Sequence, residues 1–261
     1  MNEETRLEIA RRLREAELNR ETFPAFSTDY PDMNQDDAYD IQLKMMQYRF
    51  DAGEKLAGVK IGLTSVGMQR LVNVDTPDYG LLTDKMLILE GQPCPADELI
   101  QPKVEGEFAF ILKEDLDKEY VTVADVFNAT SYIAPAIEIV DSRITDWKIH
   151  YYDTVSDNGS SARFVVGGGM MKPEDVDMRT TGMTIEKNGA LVSSGASAEV
   201  FGNPAASVAW LANSVRKYGI ILRAGYIILS GAFTAAVAAE KGDDFKISFG
   251  GGLGSVGVRF E

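Results

Sequence analysis

Histidine, cysteine and positive charge are what this chain of 261 residues lacks most. Its one histidine, His150, and its one cysteine, Cys94, exclude zinc sites built on histidine pairs and clusters built on cysteine, alone or mixed with histidine. A lone thiol cannot form an internal disulfide, and the opening Met1-Asn2-Glu3-Glu4 is acidic where a secretory leader would be basic and then apolar, so the expected location is cytoplasmic. Twenty-six Lys and Arg stand against 40 Asp and Glu, a formal charge of −14. With no basic stripe to neutralise phosphates and no polybasic anchor, neither nucleic acid nor a membrane surface is an expected partner. Long apolar runs are missing too. The nearest is the Ala/Val-rich stretch 227–239, which Ser230 and Gly231 interrupt, whereas a membrane span needs roughly 20 residues. Any metal held by such a chain has to be held by oxygen.

The remaining composition, 45% hydrophobic and 25% charged, is that of a folded globular chain long enough to bury a substantial core. Leu7, Ala10, Leu13 and Ala16 recur about every three residues within 3–20, which predicts an amphipathic helix. Asn34 precedes Asp37 by three residues, as in a capping box, and Ala38, Ile41, Met45 and Tyr48 continue one apolar face toward Gly53. From about Gly58 the chain changes to short apolar runs divided by Gly, Pro and Asp, the texture of strands and turns. Thr122 and Asp125 mark a helix start, and Asn203-Pro204 opens another helix that Gly219 stops. Strands are expected at Glu105–Leu112, Ile133–Val140, Tyr226–Leu229, Phe245–Phe249 and Ser255–Phe260. The fold class is therefore α+β, with a helical region at 1–57 packed on a mixed β domain at 58–261.

Chemistry concentrates in Glu105-Gly106-Glu107 and Glu138. Strand alternation puts Glu105 and Glu107 on one face, and that face continues into Ala109 and Ile111, where a core belongs. Glu138 stands alone in Ala134-Pro135-Ala136-Ile137-Glu138-Ile139-Val140. Burying carboxylates together is costly and raises the pKa of at least one unless a cation compensates. Three acids converging from two strands suit Mg²⁺ or Mn²⁺. The plainer alternative is a solvated Glu105/Glu107 face, with Glu138 paired to Arg143 or Lys103. Lys60, in the buried-looking strand Gly58-Val59-Lys60-Ile61-Gly62-Leu63-Thr64-Ser65, suits a proton carrier or anion clamp because desolvation lowers its pKa; the alternative is an edge lysine with its head in water. Asp78, in Asp75-Thr76-Pro77-Asp78-Tyr79-Gly80, is a base or a turn stabiliser. The short polar donors of Asp153–Ser161 suit a carboxylate or simply a turn, and His150, with no Ser/Asp arrangement around it, reads as structural. Gly252-Leu253-Gly254-Ser255-Val256-Gly257 matches G-x-G-x-x-G literally but has no room for the helix that would hold a pyrophosphate.

Taken in order, Gly58–Ser65, Asp75–Gly80, Lys103-Val-Glu105-Gly-Glu107, Pro135-Ala-Ile-Glu138-Ile-Val-Asp141-Ser142-Arg143, Asp157-Asn158-Gly-Ser160-Ser161 and the terminal Gly252-Leu-Gly254-Ser255-Val resemble the hydratase/decarboxylase family of aromatic meta-cleavage pathways. The resemblance spans nearly the whole chain. It implies the fumarylacetoacetate-hydrolase-like fold and Mg²⁺ or Mn²⁺ on Glu105, Glu107 and Glu138. It implies a substrate that is an unsaturated 2-hydroxy or 2-oxo acid, with Leu63, Thr64, Ser160 and Ser161 at the substrate and Lys60 and Asp78 in proton transfer. It also implies a homo-oligomer, associated with a related hydratase or decarboxylase. An acid at Asp78 can activate or orient water and so favours a hydratase acting on 2-hydroxypenta-2,4-dienoate or a close homologue; the alternative is a 4-oxalocrotonate decarboxylase using the same site. Ala235 and Ala236 offer no cation for a second carboxylate, which favours a monocarboxylic substrate.

Overall fold

The computed structural model describes residues 1–71 and 74–261, with Met68 and Leu71 through their backbone alone. Two helices open the chain, α1 (Glu3–Asn19) and α2 (Gln35–Asp51). Asn2 caps α1 by accepting from the Thr5 N–H at 2.8 Å, and Arg20 ends it in the left-handed region. The buried face of α1 is Ile9, Ala10, Leu13 and Ala16; three of the four expected residues lie on it, while Leu7 is 44% exposed and Ile9 takes its place at the start of the stripe. The Asn34/Asp37 capping box forms in both directions, and Asp37 also takes the N-terminal ammonium and Arg6, which locks the two helices together.

The strands are β1 (Leu56–Gly62), β2 (Asp78–Thr83), β3 (Leu87–Leu89), β4 (Lys103–Leu112), β5 (Thr130–Val140), β6 (Ser161–Val166), β7 (Gly182–Lys187), β8 (Ala190–Ala196), β9 (Ile227–Leu229), β10 (Val237–Ala238), β11 (Asp244–Phe249) and β12 (Gly254–Arg259). Among them lie the helices α3 (Val66–Leu71), α4 (Val123–Ala129), α5 (Tyr151–Ser156) and α6 (Pro204–Val215). The larger sheet runs β2-β1-β9-β4-β5-β6-β3, with β10 also on β4. Only the turn 84–86 separates β2 from β3, at opposite ends of that order, so the sheet has to curl. The Phe164 N–H reaching the Met86 carbonyl at 3.0 Å helps to close it into a half-barrel.

Register then decides what faces inward. Glu105 pairs with Glu138, Glu107 with Ala136, Ala109 with Ala134 and with Leu229, Lys60 with Gly80, and Gly62 with Asp78. The inner face is thus apolar at one end, where Leu82, Met86, Ala109, Ala134, Ala136, Phe164 and Leu229 form a separate buried cluster. At the other end it carries the ionisable side chains. The smaller sheet, β12-β11-β7-β8, packs on the outer face, with Phe249 5.7 Å from Phe108. Gly106 permits this approach, since a Cβ there would overlap Met183 Sδ and Ile247 Cγ2. The β7–β8 hairpin turns at Asn188-Gly189, both at positive φ, a signal in the sequence that the strand reading passed over. Gly254 and Gly257 lie in strand β12, with no helix behind them.

Asn158 covers the outer edge of β2. Its side-chain amide donates to the Leu81 carbonyl at 2.9 Å and accepts from the Leu81 N–H at 2.7 Å, copying a neighbouring strand. Asn158→Ala leaves both buried groups unsatisfied at about 1–3 kcal/mol each, so thermal denaturation is expected to shift down by several degrees. A melting curve within a degree of the parent would show that water replaces the amide.

Candidate active site

Two strands bring the acids together. Glu105 and Glu107 come from β4 and Glu138 from β5, and one carboxylate oxygen from each lies within 4.8 Å of the others. Glu107 and Glu138 are fully buried and Glu105 is half-buried. Burial pushes each carboxyl up, and mutual repulsion adds to it: Glu105 reaches about 7, and Glu107 lies well above the ordinary glutamate range. Glu138 is raised by burial as well, against the pull of Lys60. Glu107 Oε2 accepts from the Gly231 N–H at 2.7 Å, while Glu107 Oε1 and both oxygens of Glu138 have no hydrogen-bond partner. Unpartnered buried carboxylate oxygens are expensive, and a hard divalent cation with oxygen preference is what such a donor set fits. The acids are therefore not a solvated face.

Lys60 projects from the middle of β1 into the same space, with Nζ 3.7 Å from Glu138 Oε1. Burial pulls its ammonium down, but Glu138, Asp78, Glu105 and Glu107 outweigh that and hold it above the ordinary lysine value. The expectation of a lowered pKa considered burial alone; four nearby acids reverse its sign. Lys60 is 3% exposed and not an edge residue with its head in water. Asp78, at the start of β2, is buried, which raises its pKa against the opposing field of Lys60, and its Oδ2 accepts from Thr154 Oγ1 at 3.4 Å. Glycines make the room. A Cβ on Gly62 would overlap Asp78 Oδ1, and one on Gly159, at φ +58°, would lie 2.5 Å from Lys60 Cε.

The two serines divide. The Ser160 hydroxyl lies 3.4 Å from Asp157 Oδ2 and its backbone is tied to Asp157 and Asp141. The Ser161 hydroxyl makes no hydrogen bond of good geometry, yet it stands close enough to Glu138 to favour the charged carboxylate. Leu63 holds a positive φ of 55°, and its carbonyl accepts from Gln69 Nε2 at 2.9 Å. Thr64 packs where a Cβ of Gly231 would be. Gly231 was legible in the sequence only as an interruption of an apolar run; its φ of +115° and its N–H on Glu107 place it at the acid cluster. Gly231→Ala strains that backbone and displaces Thr64, and is expected to weaken Mg²⁺ binding at least tenfold by calorimetry. Unchanged affinity would remove Gly231 from the site.

Other polar residues have structural tasks. Glu138 pairs with neither Arg143 nor Lys103. Arg143 is buried against Asp157 and donates to the Asp141 carbonyl at 2.7 Å, and Lys103 Nζ lies 4.1 Å above the Trp147 ring. Asp153 accepts from the backbone of Phe26, Ser27 and His150, pinning the segment before α2 to α5. His150, 58% exposed, touches Asp153 through Nδ1 and lies outside the acid cluster.

Residues 65–261 match the family model described as fumarylacetoacetate (FAA) hydrolase C-terminal. The chain is 41% identical to a 2-oxo-hept-4-ene-1,7-dioate hydratase of Escherichia coli over 258 residues, 97% of this chain and 96% of that protein. It is 47% identical to a 2-hydroxypent-2,4-dienoate hydratase of Pseudomonas putida over 214 residues, 82% of this chain and 96% of the other. A solved 4-oxalocrotonate decarboxylase from Pseudomonas putida G7, complexed with magnesium and adipate, superposes with a TM-score of 0.95 at 38% identity, covering 100% of this chain and 99% of that one. The half-barrel and the similarity along the whole chain place it among lyases, and the chain belongs to the FAA hydrolase family, in the company of its hydratases and 4-oxalocrotonate decarboxylase.

Proposed function

We propose that the protein is a Mg²⁺- or Mn²⁺-dependent lyase that adds water to 2-hydroxypenta-2,4-dienoate or a close homologue, giving the 4-hydroxy-2-oxo acid. The observation that carries this reading is the set of orphaned carboxylate oxygens on Glu107 and Glu138 beside Glu105, with Lys60 and Asp78 within the same inner face. Glu105, Glu107 and Glu138 would hold the cation. When bound, it supplies Lewis-acid stabilisation of negative charge on the acid's C1 and C2 oxygens.

The chain's own residues account for the rest. The enol proton leaves, a proton is delivered to C5 to give the conjugated 2-oxo-3-enoate, water adds at C4, and C3 gains a proton, so one water is consumed overall. Lys60, kept as an ammonium by the acids around it, and Asp78, whose neutral form burial favours, serve these transfers. Leu63, Thr64, Ser160 and Ser161 form the wall against the substrate's carboxylate end. Lys103 shares the β4 face of Glu105, but its Nζ lies 4.1 Å above the Trp147 ring, and Ala235 and Ala236 carry no charge, which supports a monocarboxylic substrate.

Incubation of the purified protein with Mg²⁺ and either acid tests the reaction. Loss of the dienoate with appearance of 4-hydroxy-2-oxopentanoate is expected; CO₂ release from 4-oxalocrotonate without hydration of the dienoate would overturn it in favour of decarboxylation. Chelation tests the metal. A carboxyl raised in the folded state, as Glu105 is to about 7, contributes stability at low pH and loses it as pH rises through that value. Metal-free protein is therefore expected to melt lower at pH 8 than at pH 6, with Mg²⁺ restoring both activity and several degrees of Tm, more at pH 8. Full turnover in excess chelator would refute the requirement.

A further inference from the structure

The acid cluster opens past Glu105. The apolar end of the inner face is closed by buried side chains, Glu107 and Glu138 are fully buried, and Glu105 is the half-buried member of the three, so an acid whose C1 end reaches the cluster leads its tail out on the Glu105 side. Two residues back along β4, on the same face and roughly 7 Å away, stands Lys103. Strand β10 lies alongside, pairing Ala238 with Lys103 and Val237 with Val104, which brings Ala235 and Ala236 to the same end. A cation thus stands where a second carboxylate on the tail would arrive, but it is engaged elsewhere: Lys103 Nζ sits over the Trp147 ring, 4.1 Å from its centroid. The ring is itself held. Trp147 Nε1 donates to the Gln101 carbonyl at 3.0 Å, and the Gln101 side-chain amide donates to the Ser142 and Ile144 carbonyls at 2.9 and 2.7 Å, which clamps the turn that carries the indole. Asp146 and Trp147 are both left-handed, each at φ 56°, a backbone that residues with side chains rarely adopt and that persists only where the surroundings hold it.

We propose that Trp147 is a positioning residue that sets substrate specificity: its ring holds Lys103 off the mouth of the site and so denies a second carboxylate its counter-charge. The inference rests on the lyase reading of the acid cluster. Selection for a monocarboxylic acid then comes from an aromatic face that occupies a cation, not from the want of a cation. A tail carboxylate brings further negative charge to a site built from acids, and leaving water there is costly unless a cation meets it. Without the indole, the flexible lysine stem lets the ammonium swing toward the mouth, and since Glu105 would be committed to the metal, the tail carboxylate is the partner left for it.

Calorimetry on the Mg²⁺-loaded protein tests this with 2-oxoadipate and 2-oxohexanoate, which differ only in a terminal carboxylate against a methyl group. The parent should bind 2-oxohexanoate at least as tightly as 2-oxoadipate. In Trp147→Leu the ratio of affinities should move about tenfold or more toward the diacid, and in Trp147→Leu/Lys103→Met it should return to the parent's value. Trp147→Phe keeps a ring face under the ammonium and should keep the parent's ratio. Lys103→Met alone should leave the ratio within about twofold, because an ammonium held on the indole touches neither probe; this variant keeps the inference open to refutation even if Trp147→Leu does not fold. An unchanged ratio in folded Trp147→Leu, a gain that survives Lys103→Met, or a selective loss of 2-oxoadipate in Lys103→Met would overturn it. Failure of the parent to bind either probe with Mg²⁺ is a different result, which removes the lyase reading and this inference with it.

Discussion

Glu107→Ala is expected to fold and to lose roughly a thousandfold or more in kcat/KM, with Mg²⁺ binding weakened to the point that calorimetry detects no saturation. The two halves of this result have separate causes. Glu107 is fully buried, its carboxyl is pushed well up by burial and by Glu138 and Glu105, and one of its oxygens has no partner. Without a cation that charge is a burden, and deleting it relieves repulsion with Glu138 and Glu105. Against this stand the Gly231 N–H, which loses its acceptor at about 1–3 kcal/mol, and a small void. These contributions are of opposite sign and similar size, so Tm in chelator should move by only a few degrees. Glu107→Gln separates charge from shape, since the amide oxygen still accepts from Gly231; it should melt at or above the metal-free parent and be as inactive as the alanine variant. A variant at position 107 that turns over at the parent's rate with Mg²⁺ would end the three-glutamate reading.

Much of this site was legible before any coordinates because its residues break the pattern of their own strands. Glu105 and Glu107 lie on a face whose next positions are Ala109 and Ile111, and Glu138 interrupts an otherwise apolar strand; in a half-barrel those exceptions meet, since register pairs Glu105 with Glu138. The helix ends at Asn34, Thr122 and Asn203 were legible for a local reason, because a cap depends on side chains within three residues of each other. What was not legible depends on distant strands meeting. Nothing near Gly231 in the chain shows that its N–H faces Glu107, 124 residues away. The sign of the Lys60 shift needed the positions of four acids from three other strands, which outweigh the burial that its own strand displays. Ser160 and Ser161 are adjacent and chemically identical, and only the left-handed backbone at Asn158, Gly159 and Ser160 sends one toward Asp157 and the other toward Glu138.

Lys60→Met should bind Mg²⁺ more tightly than the parent yet turn over about a hundred- to ten-thousandfold more slowly. Methionine matches the length of the lysine stem and keeps its contacts in the half-barrel, but removes the buried positive charge that faces Glu138, Asp78 and the other two acids. The vacated charge leaves the acids more negative toward an incoming cation, which is why affinity rises. Turnover falls because a proton donor and an anchor for the substrate's negative charge are both gone. A lysine that served only to balance charge would behave differently, since bound metal would take over that balance and Lys60→Met with Mg²⁺ would work normally. Arginine tests the same point from the other side. Charge is retained in Lys60→Arg, but the lysine head is already walled by Gly159, whose Cα hydrogens stand where any larger group would have to go. The planar guanidinium does not fit that slot and does not release its proton. Lys60→Arg is therefore expected to stay as slow as the methionine variant while losing its gain in metal affinity, and recovery of turnover in the arginine variant would reduce Lys60 to a counter-charge.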